Sequence, residues 1–192
     1  RMKAPTNLSL TIPVHNEEQL LARTVRDLVE ALEHLGLVFE LILVENGSID
    51  ATPRIADDLG RADERIRIIH LPTPDYGNAV RQGYLAGTQE YLANFSVDWV
   101  DIGFLERALS KLEDFDIVMG SKGVAEATDK RPALRRLAGS AFHTLVRLLF
   151  RLPIADAHGI KALRRDKVLG LVSECRFGGE VFDTELAVRC HR

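Results

Sequence analysis

An α/β fold, built on a mostly parallel wound sheet flanked by helices, is predicted by three observations. Short apolar runs alternate with helix-period segments through the first two-thirds of the chain, as repeated βα units do. One of those runs, residues 39–45, is apolar almost throughout, as expected of a strand covered by helices on both faces. Two strand candidates end in polar turns that feed helix starts, at Pro13 to Glu18 and at Glu45 to Thr52.

Taken in order, residues 8–13 read as the first strand, ended sharply by Pro13, and residues 17–35 as the first helix. Asn16 is placed to cap that helix with Gln19 three positions on, and Gly36 to stop it. After the strand at 39–45, Thr52 and Pro53 open the next helix as N-cap and first-position proline. Residues 65–70 alternate as a strand, 78–91 read as a helix and 94–97 as a short strand. Residues 102–112 are helical in period, and 116–120 form another buried strand. Ligands of such sheets bind at the carboxyl ends of the strands, where Pro13, Glu45 and Asp98 are expected to cluster.

After Gly120 the character changes. Lys130, Arg131, Arg135 and Arg136 precede a strongly apolar stretch at 137–152 that carries Arg147 and Arg151. Leu134, Leu137, Ala141, Leu145, Leu148 and Leu149 make an apolar stripe at helical spacing. Residues 129–152 therefore read either as a core helix with a solvated basic edge or as a helical segment on an anionic membrane surface. No internal repeat or low-complexity linker divides the chain, and residues 1–192 are read as one domain.

Composition narrows the class. The 192 residues, 46% hydrophobic and 28% charged, can bury a substantial core. A net charge of −3 gives no case for nucleic-acid binding. Cys175 and Cys190 lack metal-type spacing, which points to a reduced, cytoplasmic setting. No signal peptide is visible, and no apolar run approaches the roughly 20 residues that span a bilayer. The chain opens on Arg1 and stops at Arg192 inside a helix-like pattern, so it is expected to be a piece of a longer protein with membrane segments beyond its end. The first turn lacks Gly-x-Gly-x-x-Gly, which argues against a dinucleotide-binding dehydrogenase.

Seven segments carry the chemistry. Two are the strand-end turns already named. Tyr76-Gly77-Asn78-Ala79-Val80-Arg81-Gln82-Gly83 places small residues and an arginine at a helix start. Phe95-Ser96-Val97-Asp98-Trp99-Val100-Asp101 puts acids at a strand end, and Gly120-Ser121-Lys122 puts a cation at another. Asp156-Ala157-His158-Gly159-Ile160-Lys161 and Phe182-Asp183-Thr184-Glu185-Leu186 follow. Together, in this order, these segments resemble the family-2 inverting glycosyltransferases with a GT-A-type fold. The branch most similar is that of the dolichyl-phosphate mannosyl- and glucosyltransferases, from about Asn7 to the end of the chain.

The resemblance implies transfer of a sugar, with inversion, from a nucleotide-diphosphate sugar to a polyprenyl phosphate. It implies a location at the cytoplasmic, inner face of a membrane, peripheral or anchored by segments outside this chain. Pro13, His15 and Glu18 match the loop that contacts base and ribose. Glu45 and Asn46 stand where the family usually has Asp-Asp, one of which reads the base, and Asn78 and Arg81 match a region that approaches the nucleotide. Read alone, Arg81 is equally a solvated helix charge.

The family's metal motif, Asp-x-Asp, is here Ser96-Val97-Asp98, so Asp98 and Ser96 are the implied ligands of a divalent Mg²⁺ or Mn²⁺. Asp101 is read as the cap of the helix that follows. Lys122 matches a basic position facing the acceptor phosphate, with Arg135 and Arg136 nearby. A phosphate monoester, with a second pKa of about 6, is already a nucleophile at neutral pH. A hydroxyl acceptor would need a base, for which Asp156 is the first candidate and Asp183 the second. Either can instead cap a helix or pair with Arg164 or Arg165. His158, Trp99 and Phe182 are read as structural or packing residues. Two other functions stay open: a soluble transferase acting on a glycan or small-molecule hydroxyl, and a degenerate nucleotide-sugar-binding domain, suggested by Ser96 and Asn46.

Overall fold

The computed structural model describes residues 6–120, 159–179 and 181–191. Lys122, Asp156, His158 and the whole of 129–152 lie outside the described residues. The elements run β1 (Asn7–Val14), α1 (Leu21–His34), β2 (Val38–Asn46), α2 (Thr52–Ala62), β3 (Ile66–Leu71) and α3 (Tyr76–Ala86). They continue as β4 (Tyr91–Asn94), α4 (Ile102–Lys111), β5 (Ile117–Met119), β6 (Lys161–Arg164), α5 (Arg165–Glu174) and α6 (Val181–His191).

Among the described residues the strands form one sheet in the order β3-β2-β1-β4-β6-β5. β1 to β4 are parallel, and β6 runs antiparallel between β4 and β5. The period of two along each strand divides the core. Leu8, Leu10, Ile12 and Val14 face Leu21, Val25, Leu28 and Leu32 of α1, with α2 and α4 on the same side. On the opposite face Leu92 and Leu163 pack with Val80 and Tyr84 of α3, Val168 and Val172 of α5, and Phe182 and Leu186 of α6. β2 feeds both layers, Leu41 and Leu43 on one side and Ile42 and Val44 against Ala79 on the other. That explains its near-continuous apolar sequence.

Three expectations change. α1 starts at Leu21, without a side-chain cap, because Asn16 adopts a left-handed φ of 54° and its Oδ1 accepts from Ile49 N in the next loop at 2.9 Å. Thr52 caps nothing: it is already helical, and its Oγ1 accepts from Glu17 N at 2.8 Å. The expected helix at 78–91 ends at Ala86, and the strand after it is Tyr91–Asn94. Buried Glu40 on β2 forces that break. Its Oε1 accepts from Thr88 N at 2.7 Å, from Thr88 Oγ1 at 2.8 Å and from Ser9 Oγ at 2.7 Å, which pulls the chain out of the helix and onto the sheet.

α3 lies directly on β1. A Cβ at Gly83 would collide with the side chain of Thr11. Gly83→Ala is therefore expected to destabilise by about 1–3 kcal/mol through overpacking. Gly170→Ala in α5, with nothing within 4 Å of its Cβ, should instead stabilise by about 0.5–1 kcal/mol. Urea denaturation of the two variants gives both signs, and equal effects would contradict the packing described.

Candidate active site at the strand ends

The strand order reverses at β1. The chain steps outward through β2 and β3, then returns through α3 to put β4 on the other side of β1. Loops leaving the carboxyl ends of β1 and β4 therefore diverge and open a crevice. Phe95 N donates to Thr11 O at 3.1 Å, carrying β4's pairing one residue further. A tight turn follows, closed by Trp99 N to Ser96 O at 3.1 Å and tied to α1 by Thr24 Oγ1 donating to Val97 O at 3.3 Å. Ser96 is half-buried and Asp98 exposed on this turn. Asp101 caps α4 as expected, accepting from Phe104 N at 2.7 Å.

The loops after β1 and β2 are sewn together. Asn16 N donates to Ser48 Oγ at 3.0 Å, and Ala51 N donates to Glu18 Oε2 at 3.0 Å. His15 Nδ1 donates to the carbonyl of Asn46 at 2.9 Å. Its Nε2 lies 3.1 Å from Asn16 Nδ2. Asn46 is buried, and its Oδ1 accepts from Asp75 N at 2.8 Å. The amide NH₂ of Asn46 makes this position a donor, where an Asp would present only acceptors.

Glu18 thus spends its carboxylate on the start of α2, and Glu17 faces the crevice instead. Burial raises the Glu17 carboxyl above its ordinary range, with further contributions from the charges of Asp98 and Asp50. A negative mouth results, made by side chains from β1's loop, β2's loop and the turn after β4.

Beneath it lies a buried ion pair. Lys161 and Asp183 are each 1% exposed, with Nζ 2.8 Å from Asp183 Oδ1 and donating to Gly159 O at 2.8 Å. The partner of Asp183 is therefore Lys161 on β6. Arg164 lies 3.5 Å from Asp166, and Arg165 Nε donates to Gly87 O at 2.8 Å. Asn94, the last residue of β4, bridges to this pair: its Oδ1 accepts from Lys161 N at 3.2 Å and Tyr84 Oη at 2.6 Å. Tyr76, at the start of α3, completes the floor. Burial pushes its phenol well up, the charge of Asp183 adds to that, and hydrogen bonds to Ser96 and Asn94 oppose it.

Asn78 and Arg81 sit at α3. Asn78 N donates to Asp75 Oδ1, the N-cap, at 2.9 Å, and the same oxygen takes Gly179 N at 2.7 Å. Arg81 donates to the carbonyls of Val172 (3.3 Å) and Ser173 (3.1 Å), closing the end of α5. An open depression beside it, lined by Glu174, Cys175, Arg176 and Arg189, includes none of the strand-end residues. Sequence reasoning missed Glu17, Asp75, Tyr76, Asn94 and Lys161. Asp75 alone had a readable signal, an Asp three residues before Asn78 at a helix start.

This arrangement has relatives. The family model described as glycosyl transferase family 2 matches residues 9–171. Glycosyltransferase AglD of Haloferax volcanii is 32% identical over 196 residues, covering 98% of this chain and 31% of AglD. Dolichyl-phosphate beta-glucosyltransferase ALG5D of Trichomonas vaginalis is 26% identical over 206 residues, covering 99% of this chain and 63% of that protein. Among solved structures, glucosyl-3-phosphoglycerate synthase from Mycobacterium tuberculosis, in complex with Mn²⁺, UDP-glucose and phosphoglyceric acid, has the same GT-A fold. Its TM-score is 0.68 at 20% identity, over 96% of this chain and 64% of that one. The chain thus spans less than two thirds of each of these proteins. With the family match running from β1 into α5, across every strand that builds the crevice, the chain belongs to glycosyl transferase family 2.

Proposed function

We propose that this chain transfers a sugar, with inversion, from a nucleotide-diphosphate sugar to a polyprenyl phosphate of the dolichyl type. The observation that carries the reading is Asp98, exposed on the turn after β4 where the strand order reverses, close enough to raise the carboxyl of Glu17. An anionic diphosphate is repelled by these two side chains unless a cation lies between them. No cluster of three or more His, Cys, Asp or Glu side chains forms a closed metal cage among the described residues. Mg²⁺ typically takes one or two carboxylates and fills its shell with water and substrate phosphates, which Asp98 with Ser96 beside it fits. Such an ion, when bound, neutralises charge on the departing nucleotide diphosphate.

The protein's own residues bind and orient. The loop of Pro13 and His15, with the Asn46 amide, holds the nucleoside, and Asn78 borders it at the start of α3. Glu18, by its bond to Ala51 N, keeps that loop in place. Arg81 acts as a structural tie. Lys122 receives the acceptor phosphate, and 129–152 rests on an anionic membrane surface, at the cytoplasmic face. Support comes from the dolichyl-phosphate relative and from the ionised state of a phosphate monoester at neutral pH. No helix of the described residues is long and apolar enough to cross a membrane. A small hydroxyl acceptor, with Asp156 as base, is the second reading, favoured by the synthase bound to phosphoglyceric acid.

Incubation with UDP-glucose, Mn²⁺ and either a short polyprenyl phosphate or 3-phosphoglycerate separates the two. Product on the lipid alone is expected, and product on phosphoglycerate alone would replace the lipid reading. The raised Glu17 carboxyl adds a pH dependence. Its proton competes with the ion to a higher pH than an ordinary glutamate's would. Apparent Mn²⁺ affinity in the presence of UDP is therefore expected to fall as pH drops from 7.5 to 4.5. A constant affinity over that range, by calorimetry, would contradict the assigned ion site.

A further inference from the structure

His70, one residue from the end of β3, stands directly opposite Glu45 in the parallel register of β2 and β3. Its Nδ1 lies 3.2 Å from Glu45 Oε2, and its Nε2 lies 2.9 Å from Asp57 Oδ1 on α2. Ionised carboxylates only accept hydrogen bonds, so a ring held between two of them must donate from both nitrogens. The bridge therefore requires the imidazolium. The surroundings agree: the bond to Asp57 raises the pKa of His70, burial opposes this, and Glu45 adds to the rise.

The bridge leads to the crevice. The Glu45 side chain is 5% exposed, and its other oxygen accepts from Ser48 N at 2.6 Å. Ser48 Oγ in turn accepts from Asn16 N at 3.0 Å, in the loop that carries His15. Burial alone would push the Glu45 carboxyl up, but Ser48 and His70 together outweigh it and hold it below the usual range. The other charges near this bridge are matched elsewhere. Arg54 and Arg61 of α2 pair with Asp58, and Arg67 of β3 pairs with Glu40.

We infer that His70 is a positioning residue for the sugar-nucleotide donor: as an imidazolium between Glu45 and Asp57 it holds the Glu45–Ser48–Asn16 chain in place, and donor affinity follows its charge. This rests on the proposed nucleotide site at that loop. Deprotonation of His70 removes one N–H and its positive charge. One carboxylate then loses its donor, and Glu45 is left desolvated without its counter-ion. Affinity is accordingly kept at neutral pH and lost as pH rises through the titration of His70.

Two measurements test this. Imidazole ¹⁵N shifts of the nucleotide-free protein read the ring's charge with no donor present. The doubly protonated form is expected to persist above pH 7 and to retreat towards the ordinary value of about 6.5 in Asp57→Asn. A His70 that is neutral at pH 7 overturns the inference. Calorimetry with UDP-glucose and Mn²⁺ from pH 6.5 to 9.5 reads the consequence. One charge-assisted bond corresponds to about a tenfold change in affinity. Wild type should lose about that factor on the alkaline side. His70→Gln should be weakened from the start and level across the range, and His70→Arg, with a permanent charge, should be tight and level. A wild-type pH dependence that survives unchanged in His70→Gln overturns the inference. Failure to bind UDP-glucose at any pH, with the imidazolium intact, overturns the donor site itself and the positioning role with it.

Discussion

Asp98→Asn is expected to lower sugar transfer at least about a hundredfold, because a divalent ion supplies several kcal/mol of charge stabilisation and the proposed ion site takes Asp98, exposed on the turn after β4, as its carboxylate. Folding should hardly notice. The side chain is exposed, and surface changes of this kind usually stay within about 0.5 kcal/mol. UDP binding should also lose its enhancement by Mn²⁺, since the asparagine amide keeps the shape but not the charge. Ser96→Asp is the complementary variant, restoring the second acid of the family pattern, and should tighten the ion. Transfer by Asp98→Asn within tenfold of wild type, at equal Mn²⁺, would remove Asp98 from the site.

The largest expected loss of stability comes from Lys161→Met. Lys161 and Asp183 are each 1% exposed and 2.8 Å apart. Removing one partner of a buried pair costs about 3–5 kcal/mol, because the remaining charge keeps its desolvation penalty without its counter-ion. That is a large share of the total stability of a domain. The pair joins β6 to α6 beneath Asn94 and Tyr76, so its loss also loosens the floor of the crevice. Replacing both partners, as Lys161→Met with Asp183→Leu, should recover most of the loss, since neither charge is then stranded. Urea denaturation of the two single variants and the double variant closes the cycle. A single-variant loss below about 1 kcal/mol would contradict a buried, coupled pair.

The first half of the fold was legible because local pattern and tertiary packing agree there. Leu21, Val25, Leu28 and Leu32 announce α1, and the apolar run of β2 announces its two covered faces. The break after α3 was not legible. Tyr91 continues the helical period, and only Glu40, some fifty residues earlier, draws Thr88 onto the sheet. β6 was hidden for a similar reason. A four-residue strand bounded by Lys161 and Arg164 carries no apolar alternation, and its place between β4 and β5 is set entirely by its neighbours.

The site divides the same way. Asp98, Ser96, Glu45 and His15 were singled out from motif position, and the structure places them on the loops at the ends of β1, β2 and β4. That Glu18 bonds to Ala51 N while Glu17 feels the charge of Asp98 was not legible, because the left-handed backbone at Asn16 turns the following side chains, and no residue type announces that angle uniquely. Lys161 figured only as the end of a family-like segment, and its burial depends on Asp183, which lies 22 residues on and meets it only in the fold.

The antiparallel placement of β6 has a separate consequence. β5 finishes where β6 begins, Met119 opposite Lys161, and Gly120 N donates to Ile160 O at 2.9 Å, closing the neck between them. Whatever the intervening stretch does, it leaves and re-enters the sheet through one fastened gateway. Adding residues between two points that are already joined costs little, about 0.6 kcal/mol per doubling of length. Changes of length between Gly120 and Ile160 are therefore expected to leave the register of β4, β6 and β5 unchanged.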